Sequence, residues 1–231
     1  MSHAPIEPNF RVINILPTSI FEAEVPPDLY ADLVSIVTNC DWDESTYLKN
    51  LEKYQSGAVS TDLLKQYRDS TEVEDRQQGI LHSNLFDNFR VWCENQLNQL
   101  LPYIVKEPFA SDMEINAAWI NRYRLGENLV AHCHPWAVVS GTVFLTGNSG
   151  DVQFVKRNAY SDLKGLGITR YSDAFTYPVS PGKMVIFPSS LSHRVLPNES
   201  DAMRYTLAFN AMPTTVYDGH TVQFIKRHKP T

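Results

Sequence analysis

The segment MEINAAWINRY, residues 113–123, decides the architecture. Met113, Ile115, Ala117, Trp119, Asn121 and Tyr123 recur at every second position, the spacing that puts side chains on one side of a β-strand. Short runs of the same kind follow at Asn128–His134, Val138–Leu145, Val152–Val155, Ala174–Tyr177, Lys183–Phe187, His193–Leu196 and Tyr205–Met212. Turn signals separate them: Gly126-Glu127-Asn128, Gly147-Asn148-Ser149-Gly150, Ser180-Pro181-Gly182 and Pro197-Asn198-Glu199. About eight short strands joined by tight turns imply a sandwich or jelly-roll barrel rather than a parallel sheet.

Upstream of this β-rich half the chain reads as supporting structure. Arg11–Phe21 is β-rich and interrupted by Pro17, as an early edge strand would be. Pro26-Pro27-Asp28 opens a helix that carries Leu29, Leu33, Ile36 and Val37 at helical spacing. The polar stretch Asp41–Gly79 has no clear period, although Thr61–Tyr67 has helical character and Asp69–Gln78 reads as an exposed loop. A second helix is expected over Asn84–Leu101, capped by Ser83 or Asn84 and ended by Pro102. Leu85, Phe86, Phe89, Trp92, Cys93, Leu97 and Leu100 give it one broad apolar face that needs a sheet to cover it. The expectation is one mainly β domain with flanking helices (α+β). Residues 1–110 supply a strand and supporting helices, 111–215 the jelly-roll core (a double-stranded β-helix), and 216–231 a tail.

Bulk properties narrow the function classes. The 231 residues suffice for one substantial domain, and 43% hydrophobic with 20% charged residues is ordinary globular composition. A net charge of -6 argues against nucleic acid or an anionic membrane as main partner. No apolar run approaches the length of a membrane span, and Met1–Phe10 lacks the basic and apolar regions of a signal peptide. Cys40, Cys93 and Cys133 are odd in number and widely spaced, which fits reduced thiols in the cytoplasm, or a host cytoplasm if the chain is phage-encoded. A homodimer through a sheet edge or the N-terminal helices is compatible with the pattern, which does not require one.

The chemistry concentrates in three places. In Ala131-His132-Cys133-His134-Pro135 the two histidines are two apart on a strand, so they present imidazoles side by side. Packed, hydrogen-bonded histidines would fit the same spacing. His193 follows a turn, a buried strand and a sharp exit, Ser180–Pro188, and a jelly roll can bring it opposite His132. Three imidazoles suit Fe, Zn, Cu or Ni and leave positions open for ligands. Beyond the turn at Pro197–Asp201, which should lay the next strand beside that of His193, Arg204, Thr206, Ala208 and Asn210 share a polar face. Tyr205, Leu207 and Phe209 make the apolar face behind it. A guanidinium on a buried wall is matched to a carboxylate, although an exposed strand arginine with a surface ion pair would share the pattern.

Taken together, Asn121-x-Tyr123-x-x-Gly126, His132-x-His134-Pro135, Ser140-Gly141-Thr142-Val143-Phe144, Gly182-x-x-x-x-Phe187-Pro188, His193 and Arg204 to Phe209-Asn210 resemble the motifs of 2-oxoglutarate/Fe(II)-dependent oxygenases. The subgroup they look most like is found in bacteria and phages and is related to prolyl 4-hydroxylases; the match covers roughly residues 115 to 212. The resemblance implies Fe(II) on His132 and His193, with His134 as third ligand where the wider superfamily has Asp or Glu. It also implies that Arg204 binds the distal carboxylate of 2-oxoglutarate, with Tyr123, Thr206 and Asn210 beside it. Asn121 and Trp136 would then face the prime substrate, and oxygenation would yield succinate and carbon dioxide from 2-oxoglutarate and dioxygen. Ser140 is a weaker candidate, since Ser-Gly also permits a close strand crossing. If His134 turned aside, water or chloride would fill the third position. Asp151 is a further carboxylate to consider, but nothing in its spacing points to the metal.

Other readings compete at this stage. A three-histidine, cupin-like dioxygenase without 2-oxoglutarate shares the ligand set and differs in the use of Arg204. A non-enzymatic jelly-roll binding module would leave the histidines incidental, and a zinc hydrolase lacks an evident general base. Trp119 and Trp136 read as rim or core aromatics and Trp92 as core; His82, His220 and His228 lie in polar surroundings. Asn148–Ser149 and Arg157–Arg170 are polar, glycine-containing lid candidates.

Overall fold

The computed structural model describes residues 18–39, 59–61, 86–104, 112–134, 137–155, 174–217 and 222–224. The elements are β1 Phe21–Glu24, α1 Pro27–Asn39, β2 Val59–Thr61, α2 Asp87–Ile104, β3 Met113–Tyr123, β4 Leu129–His132 and β5 Val139–Phe144. They continue as β6 Val152–Val155, β7 Ala174–Tyr177, β8 Lys183–Pro188, β9 Ser192–Val195, β10 Arg204–Pro213, β11 Thr215–Tyr217 and β12 Val222–Phe224. All the strand pairs are antiparallel. A six-stranded sheet runs β1-β8-β5-β10-β3-β2, and a four-stranded sheet runs β4-β9-β6-β7. The β3–β4, β5–β6, β8–β9 and β9–β10 links each pass from one sheet to the other, which is the jelly-roll arrangement expected from the period-two pattern.

Each face of the larger sheet has its own core. Ala118, Ile120, Val143, Met184, Ile186, Leu207 and Phe209 pack with Leu33 and Val37 of α1 and with Phe89, Cys93 and Leu97 of α2. The opposite face meets the smaller sheet through Phe144, Val185, Phe187, Val152, Phe154 and Tyr177. Burying these two faces removes apolar surface from water at about 25 cal/mol per Å². Helix α2 also serves the strand it covers: Asn98 Oδ1 and Glu94 Oε1 accept the backbone N–H groups of Met113 and Ile115 at 2.6 and 3.1 Å. At the other end of the sheet, Glu22 accepts from Lys183 Nζ at 2.6 Å and from Tyr177 Oη, tying β1, β8 and β7 together.

Three expectations change on contact with this fold. Strand β3 does not keep one face throughout: the β10 partners are Ala117 for Asn210 but Ile115 for Ala211, so Asn116 is the extra residue of a bulge. Met113 and Ile115 therefore join the helix-side core, while Trp119, Asn121 and Tyr123 face the cavity. Helix α2 continues two residues past Pro102. So near the C-terminus, the missing N–H removes only one intrahelical bond. Finally, the Arg204 strand is not beside the His193 strand: β10 lies between β3 and β5, and β9 between β4 and β6. The Pro197–Asp201 link carries the chain across the sandwich instead of reversing it within one sheet. Two short strands, β11 and β12, pair at the start of the expected tail. The expectations for 11–17, 41–58, 62–67, 69–78 and 157–170 lie outside the described residues. So do Cys40, His82, Ser83, Asn84, Leu85, Trp136, His220 and His228.

Candidate metal centre

The three candidate imidazoles meet because β4 and β9 pair with His132 directly opposite His193. Their ring centroids are 4.3 Å apart. His134 lies two residues beyond, where its backbone N–H donates to Ser189 O at 2.9 Å and keeps the chain against the end of β8. Its ring sits 5.0 Å from those of both His132 and His193 and lies nearly parallel to the latter at 16°. One nitrogen from each ring falls within 4.8 Å of the others. His134 Nε2 and His193 Nε2 are 3.2 Å apart. Two nitrogens each about 2.1 Å from one ion would be separated by about 3.0 Å at a right angle and about 3.4 Å at a tetrahedral angle, so the spacing suits shared coordination.

The orientation of the rings follows from the backbone. Nδ1 of His132 is 2.9 Å from Val130 O and Nδ1 of His193 is 3.0 Å from Leu191 O, so each donates its Nδ1–H to a carbonyl. That tautomer leaves the Nε2 lone pairs free for a metal. Burial, then the neighbouring His132, pushes the pKa of His193 down to about 3 and that of His134 to about 4. Phe187 supplies much of the apolar wall around His193, with its ring 4.6 Å away. Both imidazoles are thus neutral near pH 7 and need no deprotonation before ligating.

Arg204 stands at the other end of the same cavity, opposite Tyr123 in the β3–β10 pair. It is only 1% exposed, and its Nε and Nη1 have no hydrogen-bond partner. Its Cζ lies 4.7 Å from the centroid of the Tyr123 ring and 5.9 Å from that of Phe144. Gly147 and Gly150, at φ 87° and 81°, let the β5–β6 loop close on the arginine. A Cβ on Gly147 would come within 2.8 Å of Arg204 Cβ, and one on Gly150 within 3.4 Å of Nη1. Burial lowers the pKa of the guanidinium, and Tyr123 and Asp151 partly offset this. Two orphaned donors on a buried cation are costly unless an anion completes them. Thr206 and Asn121 lie next along the wall, with Asn121 Nδ2 donating to Thr206 Oγ1 at 3.4 Å.

Residues 117–210 match the family model described as "Putative 2OG-Fe(II) oxygenase". These residues belong to the 2-oxoglutarate/Fe(II) oxygenase family. No curated protein sequence matches the chain. The oxygenase domain is similar in fold to HygX from Streptomyces hygroscopicus, solved with nickel and 2-oxoglutarate bound. That pair has 11% identity, a TM-score of 0.54 and coverage of 85% of this chain and 84% of HygX. It is also similar to the non-heme alpha ketoglutarate dependent epimerase SnoN from nogalamycin biosynthesis, with 12% identity, a TM-score of 0.52 and coverage of 93% and 90%. A Pseudomonas putida prolyl-4-hydroxylase matches with 13% identity, a TM-score of 0.48 and coverage of 84% and 92%.

The family brings Fe(II) and 2-oxoglutarate with it, and the residues of this oxygenase domain fit both. Three imidazoles converge where a divalent ion would sit, and the Arg204 guanidinium, with Nε and Nη1 unpartnered, lines the same cavity. Asp151 stays apart from the three-histidine group: its Oδ1 accepts the backbone N–H of Val179 at 3.0 Å. Ser140 is buried in a polar cluster with Ser189 and Asn210, outside the cavity lining. The lid candidate Asn148–Ser149 is anchored, since Ser149 Oγ donates to Asn198 Oδ1 at 2.7 Å and accepts from Glu199 N at 2.9 Å.

Asn198 escaped sequence reasoning as anything more than a turn residue. It is 1% exposed and ties three loops behind Arg204: Nδ2 donates to Tyr123 O and Ala202 O, while its backbone meets Gly126 and Glu127. Trp119, read as rim or core, sets its ring 5.4 Å from that of His134 at a tilt of 32° and lines the cavity. A period-two count through the bulge was the available signal for Trp119; Asn198 carries none.

Proposed function

We propose that this chain is a 2-oxoglutarate-dependent oxygenase that hydroxylates a C–H bond of a peptidyl or small-molecule substrate. His132, His134 and His193 hold Fe(II). Arg204 takes the distal carboxylate of 2-oxoglutarate through its unpaired Nε and Nη1, and Tyr123 and Thr206 wall that end. The observation that carries the reading is the pairing of the imidazole cluster with this orphaned, buried guanidinium in one cavity.

The bound metal supplies the point at which dioxygen and the 2-oxo acid react, consuming 2-oxoglutarate and dioxygen and giving succinate, carbon dioxide and the hydroxylated product. The chain's own residues set the geometry. The carbonyls of Val130 and Leu191 fix the imidazole tautomers and aim the Nε2 lone pairs inward. Arg204 holds the co-substrate by a fork that also sets its direction along the cavity. Phe187, Val195 and Leu129 exclude water from the space between the sheets, which strengthens each of these electrostatic contacts.

The deciding experiment is anaerobic titration of the Fe(II) protein with 2-oxoglutarate, read by visible absorption. A chelate band that saturates at one equivalent is the expected result. Iron binding without any band would favour a three-histidine dioxygenase that does not use 2-oxoglutarate.

A further inference from the structure

Trp119 lines the cavity, yet neither the metal nor the co-substrate gives it a task. The side chains of Trp119, Asn121 and Tyr123 on β3 face the cavity opposite Ala208, Thr206 and Arg204 of β10. Tyr123 stands level with Arg204, and Trp119 lies about 13 Å away along the strand. A co-substrate anchored at Arg204 therefore passes the Asn121–Thr206 step, and Trp119 belongs to the other end. There its ring is 5.4 Å from that of His134, at a tilt of 32°, and the His134 ring is 5.0 Å from that of His193, at 16°. The indole extends the row of imidazoles by one more ring.

The neighbours of Trp119 leave it open to the cavity. Its direct partner on β10 is Ala208, whose next partner on β5 is Thr142, and all three line the cavity. A methyl between an indole and a threonine makes a hollow beside the imidazoles. Trp119 itself is half-buried. Phe187, its ring 4.6 Å from that of His193, adds an apolar wall. The described lining residues include no Asp, Glu or Lys, and Arg204 is their one permanently charged side chain. An indole face by itself attracts cations. Here a cation would find no carboxylate to pair with and would lie one ring from a divalent ion, so desolvation and repulsion outweigh that attraction.

We propose that Trp119 is a specificity residue for the prime substrate, selecting an uncharged, flat ring group over a cationic side chain. The ring lies on the indole and fills the hollow over Ala208, which brings its edge, or a carbon attached to it, to the imidazole cluster. In a peptide this excludes lysine and arginine as the reacting residue. The inference rests on the oxygenase reading for the metal and for the place of 2-oxoglutarate.

The test uses full-length protein loaded with diamagnetic Zn(II) and 2-oxoglutarate, with benzyl alcohol as the probe and benzylammonium as its cationic counterpart. The Trp119 indole N–H signal in a ¹⁵N-correlated spectrum, assigned by its loss in Trp119→Phe, should shift saturably at millimolar benzyl alcohol. Benzylammonium should bind about ten-fold more weakly, because its charge is left unpaired. Affinities of the variants are read on the relaxation of the probe's own ring protons. Trp119→Leu should weaken benzyl alcohol about five-fold, the worth of one aromatic pair, and Trp119→Phe should restore most of the loss. A residue that merely propped His134 would leave that binding unmoved. Trp119→Leu should also keep the 2-oxoglutarate affinity of the unsubstituted protein. The proposal is overturned if the Trp119 signal ignores benzyl alcohol, if Trp119→Leu binds it undiminished, or if benzylammonium binds as well. An equal loss of 2-oxoglutarate and probe in Trp119→Leu would overturn it too, by making the indole a support of the metal site. Failure of the unsubstituted protein to bind 2-oxoglutarate would instead remove the oxygenase reading, and the benzyl alcohol titration would still decide the role of Trp119.

Discussion

Arg204 and His193 are both buried, yet their removal should have separable effects. His193→Ala deletes a proposed ligand and should abolish stoichiometric iron binding, measured by metal analysis after desalting. Arg204→Ala should keep the iron and weaken 2-oxoglutarate by roughly 2–5 kcal/mol, the range for truncating one partner of a buried charge pair. The chelate-band titration measures it, and an unchanged affinity would refute the role of the arginine. Protons give a second handle. Folded His193 and His134 titrate at about 3 and about 4, below the unfolded value of 6.5. Between these limits the unfolded chain binds protons that the fold refuses, so stability rises with pH. Urea unfolding of the metal-free protein should accordingly show full stability above about pH 6.5 and a steady decline toward pH 3. The histidines, Arg204 and Tyr123 were legible in the sequence because period-two spacing assigns a face to each residue. Asn198 was not, because its importance lies in which loops it joins and not in any local pattern.

Among the elements, β5 shows how closely the larger sheet is packed. A Cβ on Gly141 would overlap the Phe209 ring and approach Val185 O at 3.0 Å. Gly141→Ala should therefore destabilise the fold by about 1–3 kcal/mol, the usual cost of overpacking, measured as a lower denaturant midpoint at constant slope. This also explains the Ser140-Gly141 pair: the glycine admits the aromatic ring while the serine turns to the opposite face. Most strand positions followed from alternation and turn residues. The misplacements have a common cause, since the Asn116 bulge and the crossing of residues 197–201 depend on which strands become partners. Hydrophobic alternation says which way a side chain points, not which neighbour it meets. The Pro102 extension of α2 is a local matter, the tolerance of a last helical turn for one lost bond.

For the molecule as a whole, ligands and stability are linked. An uncompensated guanidinium and three converging lone pairs burden the empty fold, so occupancy should raise its melting temperature. At a hundred times its dissociation constant a ligand adds about 2.7 kcal/mol, and each 1 kcal/mol moves a chain of this size by about 2–4 °C. Calorimetry with Zn(II) and 2-oxoglutarate added together, each at that excess, should show a rise of about 11–22 °C by that arithmetic, and Arg204→Ala should lose the half due to 2-oxoglutarate. The sandwich with helices on one outer face was readable from composition and period, whereas the depth of the cavity was not, because it comes from loops closing on one another. That closure has a kinetic consequence. Gly147 and Gly150 lie against Arg204, and Asn198 is tied to the strand end at Tyr123, so the described loops crowd the arginine end of the cavity. A diacid bound there should enter more slowly once the molecule to be oxidised occupies the imidazole end, so stopped-flow mixing in that order should show a lag.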